Sequence, residues 1–136
     1  MNIEIEEFPH LNYSPGFALA AEGFARLAAE HPDATEASLH FLQKTITARI
    51  DDKVVGVIVW EKTEYNRQAW IVLGYVTPAY QRRGVYNALY RRLVEIARRE
   101  NLRSVAGGVA YGNRSMRAVA ERQSRAPVAI IYQEIL

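Results

Sequence analysis

The feature that most constrains the fold is an apolar stretch that runs directly into a short cationic loop and then a helical pattern. The stretch covers residues 69–76, and the loop at 81–86 carries two arginines and a glycine. Apolar residues then recur at helical spacing from Gly84 to about Glu100. The first N–H groups of a helix have no partner within it, and the helix dipole adds partial positive charge there, so a helix N-terminus attracts anions. Because glycine lacks a Cβ, a phosphate can approach its backbone closely. We therefore predict that residues 81–86 hold a phosphorylated ligand.

Composition is that of an ordinary globular protein. The 136 residues are 49% hydrophobic and 24% charged, which predicts one domain spanning residues 1–136. The chain has no cysteine, which excludes a disulfide framework and a thiolate zinc site, and we expect no metal. No apolar run approaches the ~20 residues of a membrane span, and the acidic N-terminus is unlike a signal peptide. We therefore expect a cytoplasmic protein without a membrane partner.

The charges are unevenly distributed along the chain. Residues 1–64 carry 11 acidic and 5 basic side chains, whereas residues 65–136 carry 4 acidic and 12 basic ones, all of them arginine. This asymmetry suits the second half to an anion and the first half to a cation, although solvated charge on two surfaces would give the same counts. We expect no nucleic-acid partner, because Glu95 and Glu100 interrupt the arginine stripe and no aromatic residues are interleaved with it for base stacking.

The remaining periodicity predicts a central mixed β-sheet flanked by about four helices. Strand patterns cover residues 3–8, 45–50, 54–60, 69–76, 103–109 and 127–136. The first helical pattern has Ser14 as its N-cap and ends at His31. Further helical patterns cover residues 33–43, 84–100 and 113–123. Three successive strands form an antiparallel meander, and a crossover makes the strand at 103–109 parallel to the one at 69–76. The fold class is α/β, of the α+β type with a mixed sheet, and a doubly wound dinucleotide fold is excluded by the missing glycine fingerprint.

At this point the residues resemble the GCN5-related N-acetyltransferase (GNAT) family. The family's pyrophosphate motif is Gln or Arg, two variable residues, Gly, one variable residue, and Gly or Ala, and here it reads Gln81-Arg82-Arg83-Gly84-Val85-Tyr86. Val76 and Pro78 match the strand-ending valine and the turn proline, and Asn113 matches an asparagine that opens the next helix. The resemblance extends over residues 3–123.

The resemblance implies acetyl-CoA as donor and a primary amine, on a small molecule or an exposed peptide, as acceptor. It implies direct attack of the amine in a ternary complex. The strand at 71–76 would splay away from the strand at 103–109, and the pantetheine arm would lie in the gap. The implied cofactor-binding residues are Tyr75, Val76, Thr77, Gln81, Arg82, Arg83, Gly84, Val85, Tyr86, Asn87 and Asn113.

Two departures from the family pattern concern the chemistry. Tyr86 stands where the family has Gly or Ala, and Ala120 stands where many members carry a tyrosine as general acid. The strand at 69–76 also lacks the carboxylate that often serves as general base. The substitutes that remain open for the general acid are Tyr111, Tyr132 or a water. For the base they are Glu61 and then Glu64, and His40 is a further candidate.

A second hypothesis is a non-catalytic CoA-binding or interaction module with the same fold, which these departures motivate. The chain also ends with one strand where the family often has two, so that a sheet edge would be open. Open edges favour pairing with another chain, and we therefore include a homodimer among the expected partners.

Overall fold

The computed structural model describes residues 1–32, 38–110, 112–129 and 131–136. In these residues the chain forms one five-stranded sheet, in the order β1-β2-β3-β4-β5, and three α-helices. The strands are β1 (Glu4–Phe8), β2 (Lys44–Ile50), β3 (Lys53–Thr63), β4 (Gln68–Val76) and β5 (Ser104–Gly107). The helices are α1 (Phe17–Glu30), α2 (Val85–Arg99) and α3 (Arg114–Arg122).

The sheet is mixed, as the sequence predicts. Strands β1 to β4 are antiparallel neighbours, and β5 is parallel to β4. Helix α2 makes the crossover between these two parallel strands, which a hairpin cannot connect. The predicted meander and the predicted parallel strand are both confirmed.

The two faces of the sheet are covered by different helices. Helix α2 buries Leu89, Leu93 and Ile96 against one face, as its spacing predicts, and each such side chain contributes about 1.5–3 kcal/mol to stability. Helix α1 covers the opposite face, where Ala20 is buried beside Leu73 of β4. The core therefore has two layers, and β4 contributes to both.

Helix α1 begins two residues later than the capping pattern predicts. The residue at its N-cap is Gly16, and the Ser14 hydroxyl accepts a hydrogen bond from the Gly16 N–H at 2.9 Å. Serine thus closes a local turn before the helix instead of capping the helix itself, an alternative that short hydroxyl side chains offer to the backbone. The predicted end at His31 is confirmed.

The predicted helix at 33–43 is not present in its described part. Residues 33–37 lie outside the described residues, and residues 38–43 form turns and irregular structure. Gln43 supports this irregular backbone. It is a buried side chain whose Oε1 accepts the His40 N–H at 2.8 Å and whose Nε2 donates to the Ser38 carbonyl at 3.0 Å. These bonds satisfy backbone groups that a helix would have paired internally.

The predicted strand at 127–136 is wrong for the described residues, which are 127–129 and 131–136. They join no sheet, and the side chains of Val128 and Tyr132 are 88% and 89% exposed. A strand pattern is stabilised when its apolar side chains are buried against a neighbouring surface. The described residues of this segment have no such surface beside them, because their side chains are exposed. In the described part of the chain, no helix is long and apolar enough to cross a membrane.

Candidate active site

The candidate site is a cleft that opens where β4 and β5 separate. Their pairing ends with Ile71 opposite Gly107, yet β4 continues to Val76 while still paired with β3. The splay that the family resemblance implies is therefore present. The resulting cleft has a volume of about 1550 Å³. Its walls are the end of β4, the loop that follows, the first turn of α2, the segment after β5, and α3.

The backbone of β4 presents alternate residues to this cleft. The Thr77 N–H donates to the Val55 carbonyl of β3 at 2.8 Å, so the polar groups of Thr77 face β3, and those of Tyr75 face the same way by strand alternation. Val76 faces the open side, where its carbonyl accepts a hydrogen bond from Gln81 Nε2 at 2.9 Å. The family resemblance implies that Tyr75, Val76 and Thr77 lie beside the pantetheine arm, and of these three Val76 is the one whose N–H is directed at the cleft.

The loop before α2 has the backbone shape of an anion site. Arg82 and Gly84 have φ values of 63° and 83°, and Gly84 is the N-cap of α2 without a side-chain cap from the described residues. A Cβ on Gly84 would meet nothing within 4 Å, so the positive φ, rather than a lack of space, is what favours glycine there. The N–H groups that open α2 are consequently available to an anion.

Tyr86 points at the sheet rather than at the anion site. A Cβ placed on Gly74 would lie 2.5 Å from Cε2 of Tyr86, so the tyrosine ring lies directly over the glycine backbone of β4. Burial raises the pKa of Tyr86, and the positive charge of Arg125 opposes that rise. Tyrosine at the motif's small-residue position is thus accommodated by a glycine in mid-strand.

Arg125 is the cleft residue that the sequence did not reveal. Its guanidinium carbon lies 5.0 Å from the centroid of the Tyr90 ring. One of its terminal nitrogens lies 3.7 Å from where a Cβ on Gly107 would be. Arginine three residues beyond a short helix reads as surface charge, and no sequence signal marks it as part of a site.

Asn113 forms the N-cap of α3, as predicted. Its Oδ1 accepts a hydrogen bond from the Met116 N–H at 3.2 Å. At the other end of α3, Gln123 Nε2 donates to Asn87 Oδ1 at 3.4 Å, which links α3 to the first turn of α2. The expected cofactor residues all line the cleft except Thr77 and Arg83.

The opposite end of the cleft contains a carboxylate candidate. Glu61 of β3 lies opposite Trp70 of β4, one residue before the two parallel strands separate. Its Oε1 accepts a hydrogen bond from Gln43 Nε2 at 2.6 Å, and His40 lines the same end of the cleft. Trp70 is 38% exposed, which leaves an aromatic surface beside the carboxylate.

The other catalytic candidates are not brought to this cleft. Glu64 is exposed in the turn after β3, where it pairs with Lys62 at 3.9 Å. Tyr132 is in the exposed C-terminal segment and is not among the residues that line the cleft. Tyr111 lies outside the described residues.

The charge of the cleft favours an anionic ligand. Among the described residues that line it, the carboxylates are Glu30 and Glu61, and the cations include Arg82, Arg91 and Arg125. Positive charge along the walls of a cleft raises the local concentration of an anion.

Comparison with known proteins gives a family and a set of structural neighbours. The model of the acetyltransferase (GNAT) family matches residues 3–124. No curated protein matches the chain. An IAA acetyltransferase from Bacillus cereus ATCC 14579 is 21% identical, with a TM-score of 0.70 over 90% of this chain and 75% of that one.

Two further solved structures are similar over nearly their whole length. A ribosomal-protein-alanine N-acetyltransferase from Brucella melitensis is 20% identical, with a TM-score of 0.68 and 99% of both chains covered. An aminoglycoside acetyltransferase from an uncultured soil metagenomic sample is 14% identical, with a TM-score of 0.72 over 98% of this chain and 96% of that one. At these identities the neighbours establish the fold, while the family model covers most of the sequence. The chain therefore belongs to the GNAT acetyltransferase family, whose members are acetyl-CoA-dependent N-acetyltransferases.

Proposed function

We propose that this protein transfers an acetyl group from acetyl-CoA to a primary amine of a small molecule or an exposed peptide, by direct attack in a ternary complex. The observation that carries the proposal is the end of β4–β5 pairing at Ile71 and Gly107, which opens a cleft along β4 toward a helix N-terminus that is open to an anion. The pyrophosphate of the cofactor binds the N–H groups of residues 82–87, with Arg82 adding positive charge. The pantetheine arm lies along β4 and bonds the Val76 N–H.

Glu61 is our candidate for the general base. The amine nitrogen attacks the thioester carbonyl, the carbon–sulfur bond breaks, and the proton lost by nitrogen passes to Glu61 directly or through a water. The hydrogen bond from Gln43 holds the Glu61 carboxylate in place. The negative charge of this carboxylate draws an ammonium group to the cleft. Positioning of the two substrates lowers the barrier by several kcal/mol, and general base catalysis typically adds 10²–10⁴-fold.

The test of cofactor binding is a thermal-shift titration with acetyl-CoA, CoA and an unrelated nucleotide. Stabilisation grows with the ratio of ligand concentration to dissociation constant. We therefore expect Tm to rise with acetyl-CoA and with CoA, and not with the unrelated nucleotide. The matched control is Gly84→Glu, which places a carboxylate at the anion site and should abolish the rise. Absence of any shift with either CoA species at millimolar concentration would show the proposal to be wrong.

The acceptor is then sought with a panel of amines, with acetylated products detected by mass spectrometry. The names of two structural neighbours give aminoglycosides and a ribosomal protein as their acceptors. Both classes of acceptor belong in the panel.

A non-catalytic CoA-binding module is the second candidate, and Ala120 at the position of the family's tyrosine favours it. Such a module would show the CoA-dependent rise in Tm and no acetyl transfer to any amine. Transfer that Gly84→Glu abolishes would reject this candidate.

We also propose that two copies associate. Among the described residues β5 pairs with β4 alone, and the exposed segment after α3 is apolar, with Val128, Ile131 and Ile135 in solvent. Unpaired strand edges and exposed apolar patches are both typical of interfaces. Size-exclusion chromatography with light scattering, over a range of concentrations, measures the mass directly. A mass of one chain at every concentration would contradict association.

A further inference from the structure

We propose that Arg125 stabilises the thiolate of CoA as it leaves, at the point where β4 and β5 separate, in place of the tyrosine that Ala120 replaces. This inference rests on the proposed acetyl transfer. It assigns to one described residue a step for which the sequence suggests Tyr111, which lies outside the described residues, and Tyr132, which does not line the cleft.

The first argument is position. Gly107 is the last residue of β5 paired with β4, and a nitrogen of Arg125 lies 3.7 Å from the point that a Cβ on Gly107 would occupy. The missing side chain of Gly107 therefore leaves the guanidinium next to the inner end of the cleft. The anion loop lies at the other end of the free part of β4. Val76 lies five residues beyond Ile71 along β4, which is about 17 Å at 3.3 Å per residue. Through Gly107, Arg125 is thus placed at the thioester end of an extended arm, while its side-chain contacts with Tyr86 and Tyr90 join it to α2.

The second argument is that Arg125 is held in place before any ligand binds. Its N–H donates to the Ala120 carbonyl at 3.1 Å, which fixes the backbone at the end of α3. Its side chain lies over the ring of Tyr90, with 5.0 Å from guanidinium to centroid, and donates to Gln123 Oε1 at 3.4 Å. Gln123 is in turn bonded to Asn87 of α2. A cation held by such contacts needs no reorganisation when negative charge develops nearby, which is the condition for effective electrostatic catalysis.

The third argument is chemical. When the amine attacks, a C–N bond forms, the C–S bond breaks, and the electron pair of that bond leaves on sulfur while the amine proton goes to Glu61. A tyrosine would neutralise the sulfur by giving it a proton. Arginine stays protonated throughout and stabilises the thiolate by its charge instead. A cation next to a thiol lowers its pKa from the ordinary ~8.5, so that the free thiolate becomes a better leaving group.

The experiment compares Arg125→Gln and Arg125→Lys with the control Arg98→Gln. Arg98 is an exposed residue in the last turn of α2, outside the cleft lining, and its substitution removes the same charge. We expect Arg125→Gln to lower kcat on the order of 10²-fold, as loss of one preorganised electrostatic group does elsewhere, with KM for acetyl-CoA within about threefold. Arg125→Lys should recover part of kcat, and Arg98→Gln should behave as the unsubstituted protein.

A second readout does not need turnover. The pKa of the thiol in the CoA complex is measured from the ultraviolet absorbance of the thiolate as a function of pH. We expect this pKa to be lowered in the unsubstituted protein, and to rise by at least about one unit in Arg125→Gln. Unfolding curves check that the variants remain folded, and because Arg125→Lys preserves the charge, it separates a packing defect from a charge effect.

Three outcomes would overturn the inference. The first is an Arg125→Gln variant whose kcat and thiol pKa equal those of Arg98→Gln. The second is a tenfold or greater loss of CoA affinity with kcat unchanged, which would make Arg125 a binding residue. The third is a larger loss of kcat in Tyr86→Phe than in Arg125→Gln, which would identify the Tyr86 hydroxyl as a proton donor. The proposed function is judged separately, by CoA binding and acetyl transfer in the unsubstituted protein.

Discussion

At the scale of single residues, the cleft depends on pairs that compensate each other. Tyr86 is too large for the family's motif position, and Gly74 has no side chain where the ring must lie. Glu61 would be an ordinary charge at the end of a strand, and Gln43 orients it toward the cleft through a hydrogen bond of 2.6 Å. Neither member of such a pair is informative without the other.

The Gly74–Tyr86 contact predicts that a methyl group added at Gly74 destabilises the protein more than one added at a glycine with open space around it. Gly74→Ala would place a Cβ within 2.5 Å of the Tyr86 ring, and we expect overpacking to lower the free energy of unfolding by about 1–3 kcal/mol. A Cβ on Gly112 meets nothing within 4 Å, so Gly112→Ala is the control. Urea denaturation measures both, and equal effects of the two substitutions would contradict the packing described for Tyr86.

The assignment of Glu61 predicts a difference between two neighbouring acids. Glu61→Gln keeps the size of the side chain and removes the base, so we expect kcat to fall about 10²-fold or more with little change in Tm. Glu64→Gln alters an exposed turn outside the cleft lining and should leave kcat unchanged. Steady-state kinetics with an accepted amine decide the matter, and a similar kcat for both variants would remove Glu61 from the mechanism.

At the scale of elements, charge connects the first strand to the helix that forms the anion site. Glu7 of β1 pairs with Arg99 of α2 at 2.8 Å and with Arg92 at 3.3 Å. The hydrogen bond from Arg99 is the main cause that lowers the pKa of Glu7, burial opposes it, and Arg92 adds to the lowering. Because the folded-state pKa is depressed, this stabilisation is present above the unfolded-state pKa of about 4.3 and is lost as the pH falls through the folded-state value.

This sign gives a pH-dependent prediction. Glu7→Gln should lower the free energy of unfolding near neutral pH by less than about 1 kcal/mol, since the pair is largely exposed, and the difference should shrink as the pH falls below about 4. Glu121→Gln, on the exposed side of α3, should show no such dependence. Urea denaturation near neutral pH and below about pH 4 tests this, and an effect of Glu7→Gln that is equal at both would mean that the ion pair is not its origin.

At the scale of the whole molecule, the segment after residue 126 contributes exposed surface rather than core. Its described apolar side chains lie in solvent, so removing residues 127–136 should change the free energy of unfolding of the single chain by less than about 0.5 kcal/mol. The same truncation should remove association, if two copies meet through this segment. Denaturation and light scattering on the truncated chain measure both, and a loss of several kcal/mol would show that the segment packs on its own chain.

The sequence by itself determined the features that depend on near neighbours in the chain. The periods of β1 to β5 and of α1 to α3, the turn that leads from β4 to α2, and the asparagine cap at Asn113 are local, and the structure confirms them. The capping pattern at Ser14 and the strand pattern at 127–136 were misleading, because a hydroxyl has two ways to bond the backbone and a strand needs an edge to pair with.

Only the tertiary structure decided which distant residues meet. Arg125 reaches Tyr90, Gln43 reaches Glu61, and Tyr86 covers Gly74 because α2, α3 and the sheet pack in one arrangement. Such contacts follow from the shape of the packed core and have no period or motif in the chain. The loop for the anion could be read from the sequence, whereas the groups proposed to act on the thioester could be recognised only once the strands had separated and the helices had packed around the gap.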